Sequence, residues 1–304
     1  MSSSTSMAGN SSQTADVIGG DEPQVVGLIG DPVAHSLSPT FQQPAFDALG
    51  LHVRYELWPT PEQEIDERIE RVRSGRALGA NVTVPHKERV RARLDHLTPT
   101  AQRAGAVNTL FRDSDGCLVG DNTDVIGFIA PLVARAFPLR GARVVVLGAG
   151  GAARGVIVGL LDTDVEAVLL VNRTVARAAT LRDDLGDPRV QPLALDDLTS
   201  AAYGAHLLVN ATAVGWNDDQ SPADTAVFAA LATDALAYDL TYQETAFLAA
   251  ARAAGVATLD GLEMLVQQGA ASFVRWTGQA APLEVMLTAA RAERARRATS
   301  VAGH

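Results

Sequence analysis

From Ala142 to Ala153 the chain reads ARVVVLGAGGAA, an apolar run that passes without a spacer into clustered glycines and then into a helix-forming stretch. Few sequences constrain a fold so narrowly. Gly148 permits a tight turn, Gly150 lets a pyrophosphate approach the backbone, and Ala153 lets the following helix pack closely on its strand. The helix N-terminus then faces the phosphates. A glycine-rich turn used only for packing does not require this strand before it and this helix after it, so the pattern predicts a dinucleotide-binding βαβ unit.

The surrounding sequence continues that unit. Apolar runs at Val144–Leu147, Ala167–Val171, His206–Asn210 and Ala235–Asp239, separated by helical stretches, predict a parallel sheet with right-handed crossovers. A similar alternation precedes it: strands at Val25–Ile29, His52–Leu57 and Leu78–Val82, and helices at Pro39–Leu49, Pro61–Ser74 and opening near Pro85. Two strands are expected across Val107–Val119, a helix from Asp121–Thr123 to Ala136, and closing helices at Leu262–Thr277 and Leu283–Arg297. The fold class is α/β. With 304 residues, 47% of them hydrophobic, the chain can bury two cores. The expected division is a first domain over 23–127 completed by 262–304, a doubly wound Rossmann-like domain over 128–261, a cleft between them that closes on its ligands, and a disordered tail over 1–22.

A formal net charge of −10 opposes nucleic acid and anionic membranes, so any anion needs a local cluster of donors. The single cysteine, Cys117, cannot form an internal disulfide, and no Cys/His group has metal-site spacing; a reducing cytoplasm and no metal are expected. No apolar run has the roughly 18 residues that a membrane span needs, so the protein is expected to be soluble.

The strand VLLV ends in Asn172, Arg173 and Thr174, with Arg177 one turn on, where an acidic residue would accept from the ribose 2′-hydroxyl of NAD. Two guanidiniums and a hydroxyl suit a 2′-phosphate instead and favour NADP, although both arginines could equally be solvated helix-start residues. Thr212, after the strand ending at Asn210, could border the nicotinamide half.

Four polar strings, HSLSP (35–39), NVTVPHK (81–87), GAVNT (105–109) and GDNTD (120–124), each follow a predicted strand, the edge where ligands bind in open α/β sheets. Ser36 and Ser38 could hold a carboxylate, or Ser38 could simply cap the helix that starts at Pro39. Asn81, Thr83, Asn108 and Gln268 offer amides and a hydroxyl that could read several substrate hydroxyls. Lys87, placed near a predicted helix start where a cation opposes the dipole, pairs naturally with Asp124 for proton transfer during hydride transfer; a surface salt bridge is the alternative.

These strings, with GAGGAA, NRT, NATAVG, and DGLEMLVQQGA followed by WTG, occur in an order that resembles the shikimate dehydrogenase family from Val25 to Leu287. The resemblance implies reversible, NADPH-linked reduction of the small molecule 3-dehydroshikimate to shikimate, in chorismate and aromatic amino-acid biosynthesis; a monomer or homodimer is expected, the choice between them left open by the sequence. It implies Lys87 and Asp124 as the catalytic pair. Ser36, Ser38, Thr83, Asn108, Tyr242 and Gln268 become substrate contacts and Asn81 pocket scaffolding. Gly148, Ala149, Gly150, Gly151, Ala152, Asn172, Arg173, Thr174, Arg177, Thr212 and Gly261 become cofactor contacts. Three departures stand out. Gln42 and Gln43 replace the usual His-Asn, and a Gln at the first of these positions resembles the quinate/shikimate branch, with relaxed substrate or NAD use. DLTYQETAFL is shortened around Tyr242, and Glu263 replaces a common glycine, placing a negative charge near the nicotinamide end. From another class, a non-catalytic nucleotide sensor would keep this fold but would not need Lys87 and Asp124.

Overall fold

The computed structural model describes residues 22–216 and 218–302, so the tail expected over 1–22 lies outside the described residues except for Glu22. Two six-stranded sheets organise the chain. The first contains β1 (Gln24–Gly30), β2 (Val53–Pro59), β3 (Gly79–Val82), β4 (His96–Leu97), β5 (Thr109–Arg112) and β6 (Leu118–Asp121), in the order β2-β1-β3-β5-β6-β4. Strands β2, β1 and β3 run parallel, while β5 is antiparallel to both β3 and β6. The second contains β7 (Arg143–Leu147), β8 (Ala167–Val171), β9 (Val190–Leu193), β10 (Leu207–Asn210), β11 (Leu236–Asp239) and β12 (Ala257–Leu259), all parallel, in the order β12-β11-β10-β7-β8-β9.

Alternation along the central strands explains why they are apolar throughout. In β7, Val144 and Val146 enter one core while Val145 and Leu147 enter the core on the opposite face. In β1, Val26 and Leu28 enter one core and Val25 and Ile29 the other. The chain leaves β7 toward β8 and β9 and returns to β10 on its other side. That reversal makes the carboxyl ends of β7 and β10 a switch point with an open crevice.

Helix α1 (Ser38–Ala48) covers the first sheet after β1, α2 (Ile65–Arg73) follows β2, and α3 (Pro99–Ala104) precedes β5. Helix α4 (Asp124–Ala134) leads to the second sheet, where α5 (Gly151–Leu161), α6 (Val175–Leu185), α7 (Leu198–Ala202), α8 (Thr225–Ala230) and α9 (Ala246–Ala253) supply the crossovers. Helices α10 (Leu262–Thr277) and α11 (Leu283–Ala302) then return: Val266, Phe273, Trp276, Met286 and Ala290 join Val26, Phe41 and Phe46 in one core.

One predicted element is absent. The helix expected near Pro85 is a turn followed by a 3₁₀ segment, Arg89–Arg93, in which Val90 is the one buried side chain. RVRAR offers no apolar stripe wide enough to hold an α-helix against the sheet. Lys87 therefore does not face an α-helix dipole, and its placement must be explained by its partners.

Candidate active site

The HSLSP loop follows β1 and turns into α1. Leu37 is the N-cap of α1 and makes no side-chain cap, so Ser38 is not a capping residue. The Ser36 hydroxyl instead accepts from the Ser38 amide at 3.1 Å and donates to the Ser38 hydroxyl at 3.1 Å. Both serines line a pocket between the two sheets, with Asn81, Thr83, Lys87, Asn108 and Asp124 on the same side. Ala152, Trp216, Tyr242 and Gly261 approach from the second sheet, and Met264, Leu265 and Gln268 from α10.

At the pocket floor the Lys87 ammonium donates to Asp124 Oδ2 at 2.6 Å. The lysine side chain is 14% exposed and the aspartate 6%, so this is not a solvated surface pair. Asn108 Nδ2 donates to Asp124 Oδ1 at 2.9 Å and to Gln268 Oε1 at 3.3 Å. The amide orientation is fixed independently, because the Thr123 backbone N–H donates to Asn108 Oδ1 at 2.8 Å. One face of the carboxylate is thus held by an amide and the other by the ammonium. A lysine so placed can exchange a proton with an oxygen in the pocket.

Beneath this pair Asn81, expected as pocket scaffolding, joins a buried polar layer whose other members, Ser272, Thr109, Thr123 and Tyr55, the sequence did not single out. Ser272 Oγ accepts from Asn81 Nδ2 at 3.0 Å and stands 2.7 Å from Thr109 Oγ1 and 3.1 Å from Thr123 Oγ1. Tyr55 donates to Asn81 Oδ1 at 2.8 Å, and burial pushes its phenol well above the usual range. Polar side chains at predicted strand and helix positions were the available signal, since apolar residues would fill a core that had no amides to orient.

Tyr242 reaches the pocket from the shortened segment and meets Trp216 edge-on, ring centroids 4.8 Å apart. Burial pushes its phenol up to about 12, while the Arg297 charge pulls it back. Asp239 anchors this segment by accepting from the Thr241 amide at 3.0 Å and the Thr245 hydroxyl at 2.7 Å, and burial raises its carboxyl.

The glycine turn borders the same pocket. Gly148 has φ +102°, and a Cβ there would also lie 3.0 Å from the Ala211 carbonyl, so only glycine fits. At Gly151 a Cβ would stand 3.1 Å from Lys87 Cβ, which packs the turn directly on the lysine. Among the described residues the Gly150, Gly151 and Ala152 amides have no protein acceptor, as expected of a helix start. A Cβ at Gly150 would meet nothing within 4 Å. Open space above three free N–H groups, including that of Ala152 beside Ala149, fits a diphosphate.

At the end of β8, Asn172 Nδ2 donates to the Thr174 carbonyl at 2.8 Å, and Thr174 N-caps α6 without a side-chain bond. Arg173 and Arg177 are exposed and, among the described residues, neither has a carboxylate partner. Two unpaired cations beside a helix start with no acidic residue in its first turn are unfavourable alone and favourable with a phosphate between them. These four lie outside the central pocket, on the crest of the second sheet. Thr212 is partly committed, its hydroxyl donating to Asn210 Oδ1 at 2.7 Å.

The departures resolve individually. Gln42 is fully buried behind the pocket, with Nε2 donating to the Gly269 carbonyl at 3.0 Å, and Gln43 ties α1 to β2 through the Tyr55 amide at 2.9 Å. Neither lines the pocket. Glu263 does not place its charge beside the pocket: α10 periodicity turns Met264, Leu265 and Gln268 inward, and Glu263 pairs with Arg135 at 2.7 Å and Arg291 at 3.3 Å. The Arg135 hydrogen bond holds its carboxyl below the usual range. His96, Asp113 and Cys117, brought within 4.8 Å of one another by strand pairing, offer three donors, short of the four that close a structural zinc site.

Comparison with known proteins follows these contours. Residues 28–110 match the shikimate dehydrogenase substrate binding domain, 131–216 the shikimate / quinate 5-dehydrogenase family, and 261–291 the shikimate 5′-dehydrogenase C-terminal domain. Shikimate dehydrogenase (NADP(+)) of Synechocystis sp. is 39% identical over 271 residues, 86% of this chain and 93% of that protein. The enzyme of the same name from Oleidesulfovibrio alaskensis is 42% identical over 264 residues, 85% of this chain and 91% of that protein. The crystal structure of shikimate 5-dehydrogenase from Thermus thermophilus in complex with NADP(H) and shikimate superposes with a TM-score of 0.78 at 40% identity, covering 88% of this chain and 98% of that one.

Proposed function

The chain belongs to the shikimate dehydrogenase family, and from that premise we propose that Lys87 and Asp124 are the proton-transfer pair by which it interconverts 3-dehydroshikimate and shikimate. It is an NADP-dependent oxidoreductase acting on a CH–OH group. The single observation that carries the mechanistic reading is the buried Lys87–Asp124 contact at 2.6 Å, opening on the pocket and packed against the glycine turn.

Ser36, Ser38 and Tyr242 hold the substrate carboxylate through hydroxyl donors, and Thr83, Asn108 and Gln268 read its ring hydroxyls, with Asn81 as scaffold. NADP(H), when bound, supplies the hydride for carbonyl reduction and accepts it in the reverse direction. The Lys87 ammonium delivers a proton to the oxygen of the carbon being reduced, and takes it back during oxidation. Asp124 keeps the lysine aimed and compensates its charge, while Asn108 keeps Asp124 from rotating. Gly148, Ala149, Gly150, Gly151 and Ala152 cradle the diphosphate. Asn172, Arg173, Thr174 and Arg177 take the 2′-phosphate, and Thr212 and Gly261 border the nicotinamide.

The substrate domain then spans 23–127 with 262–302, residues 303–304 of the expected range lying outside the described residues, and the cofactor domain 128–261. The reaction belongs to the route to chorismate and aromatic amino acids, in the cytoplasm. Among the described residues no helix is long and apolar enough to cross a membrane. Initial rates with shikimate and quinate, each with NADP and NAD, test the reading. A clear preference for shikimate with NADP is expected. Comparable rates with quinate or NAD would move the chain to the quinate/shikimate branch, and no turnover in any pairing would return it to the nucleotide sensors.

A further inference from the structure

Among the described residues lining the pocket, the one lysine or arginine is Lys87, and it is committed to Asp124. The proposed carboxylate subsite, Ser36, Ser38 and Tyr242, therefore consists of neutral hydroxyls in a chain whose net charge of −10 repels anions. Burying an anion on neutral donors alone is costly. A cation stands immediately behind that subsite. Arg297, near the end of α11, donates from Nη1 to the His35 carbonyl at 2.7 Å, and the Tyr242 hydroxyl donates to the same carbonyl at 3.3 Å. The charge of Arg297 reaches the Tyr242 phenol, which it pulls back toward its ordinary range against the effect of burial.

Resting on the function proposed above, we propose that Arg297 steers the substrate carboxylate into the pocket and frees Tyr242 to bind it. The Glu293 carboxylate that Arg297 donates to at 2.8 Å also accepts from Arg296, and the Arg297 charge still acts on the Tyr242 phenol. Two other arginines of this helix each have an acidic partner, Arg291 in Glu263 and Arg294 in Asp260. The shared acceptor at His35 gives Arg297 a second task. When Tyr242 turns its O–H from the His35 carbonyl to an incoming carboxylate, that carbonyl keeps the shorter bond from Arg297 and is not left unsatisfied. Arg297 touches neither the reacting carbon nor the lysine, so it acts on capture and not on the chemical step.

The test uses the full chain, with initial rates for shikimate and for its uncharged methyl ester at low and high salt. Arg297→Gln is expected to raise KM for shikimate about two- to six-fold, the factor expected of one charge near the screening length, with kcat unchanged. The KM for the ester, which uses Tyr242 but not the charge, should rise less than that for the acid, the difference for the acid should shrink at high salt, and Arg297→Lys should retain most of the wild-type value. An unchanged KM for shikimate, or equal rises for acid and ester, would overturn the inference and reduce Arg297 to a brace on the HSLSP loop. Wild-type protein that does not turn over shikimate at all would instead overturn the functional reading beneath it.

Discussion

Replacing Gly150 with alanine should separate folding from cofactor binding. Gly150 sits at φ −103° and ψ −173°, ordinary extended backbone, and its added Cβ would meet nothing within 4 Å. Two small opposing terms act on the unliganded protein. Alanine narrows the unfolded ensemble, worth about 0.4–1 kcal/mol of stability, but is a poorer N-cap than glycine by about the same amount. The net change should be within about 1 kcal/mol, or no more than about 2 °C in Tm for a chain of this size. Binding behaves differently. The methyl group enters the space through which a diphosphate would reach the Gly150, Gly151 and Ala152 amides, and each charge-assisted hydrogen bond lost costs about 1.5–3 kcal/mol. NADPH should bind about ten- to a hundred-fold more weakly. Fluorescence titration of NADPH gives the affinity directly, and thermal unfolding should need correspondingly more NADP to reach the same rise in Tm. An unchanged affinity would mean that the turn does not cradle the diphosphate. A collapse of Tm without ligand would mean that the position is not open.

Lys87→Ala should lower kcat by about 10²- to 10⁴-fold with a smaller change in KM, and near-normal turnover would remove the lysine from the mechanism. Arg173→Ala should weaken NADP far more than NAD; equal weakening in parallel titrations would mean that Arg173 does not read the 2′-phosphate. For Glu263 the sign follows from its depressed carboxyl. A group whose pKa is lower in the folded state adds stability above its unfolded value, and loses it as pH falls through the folded one. Glu263→Gln should therefore lower Tm at pH 7 by an amount worth no more than about 1 kcal/mol, as for a partly exposed pair. Its deficit should disappear in the acid range, with kcat unaffected. A deficit that persists undiminished at low pH would show that the arginine pairs are not its source.

The second sheet was readable because its central strands are apolar on both faces and its glycine turn has one geometric explanation. Val144 to Leu147 face cores on either side, so their continuous hydrophobicity is itself the mark of a parallel strand between helices. The short edge elements were not readable: β4 has two residues, β9 contains Pro192, and β12 has three residues, too few for any period to emerge. In the site, Lys87, Asp124 and Asn108 could be nominated from the polar strings and Gln268 from DGLEMLVQQGA, but not the directions in which they point. Glu263 illustrates the limit. Its nearness to Met264 in sequence suggested a charge at the pocket, while a rotation of one residue on α10 turns it outward to Arg135 and Arg291. Ser272, Thr109 and Tyr55 were invisible as a group because they are far apart in the chain and meet only when α10 returns to the first sheet.

The return of α10 and α11 also sets the order in which the chain can finish folding during synthesis. Val26, Phe41 and Phe46 emerge from the ribosome early, yet the side chains that cover them, Val266, Phe273, Trp276, Met286 and Ala290, are among the last made. The second sheet, whose strands lie between residues 143 and 259, can be complete while the first still exposes an open apolar face. The portion translated first is thus the portion finished last, and a nascent chain stalled before α10 would present that face to chaperones or to other chains.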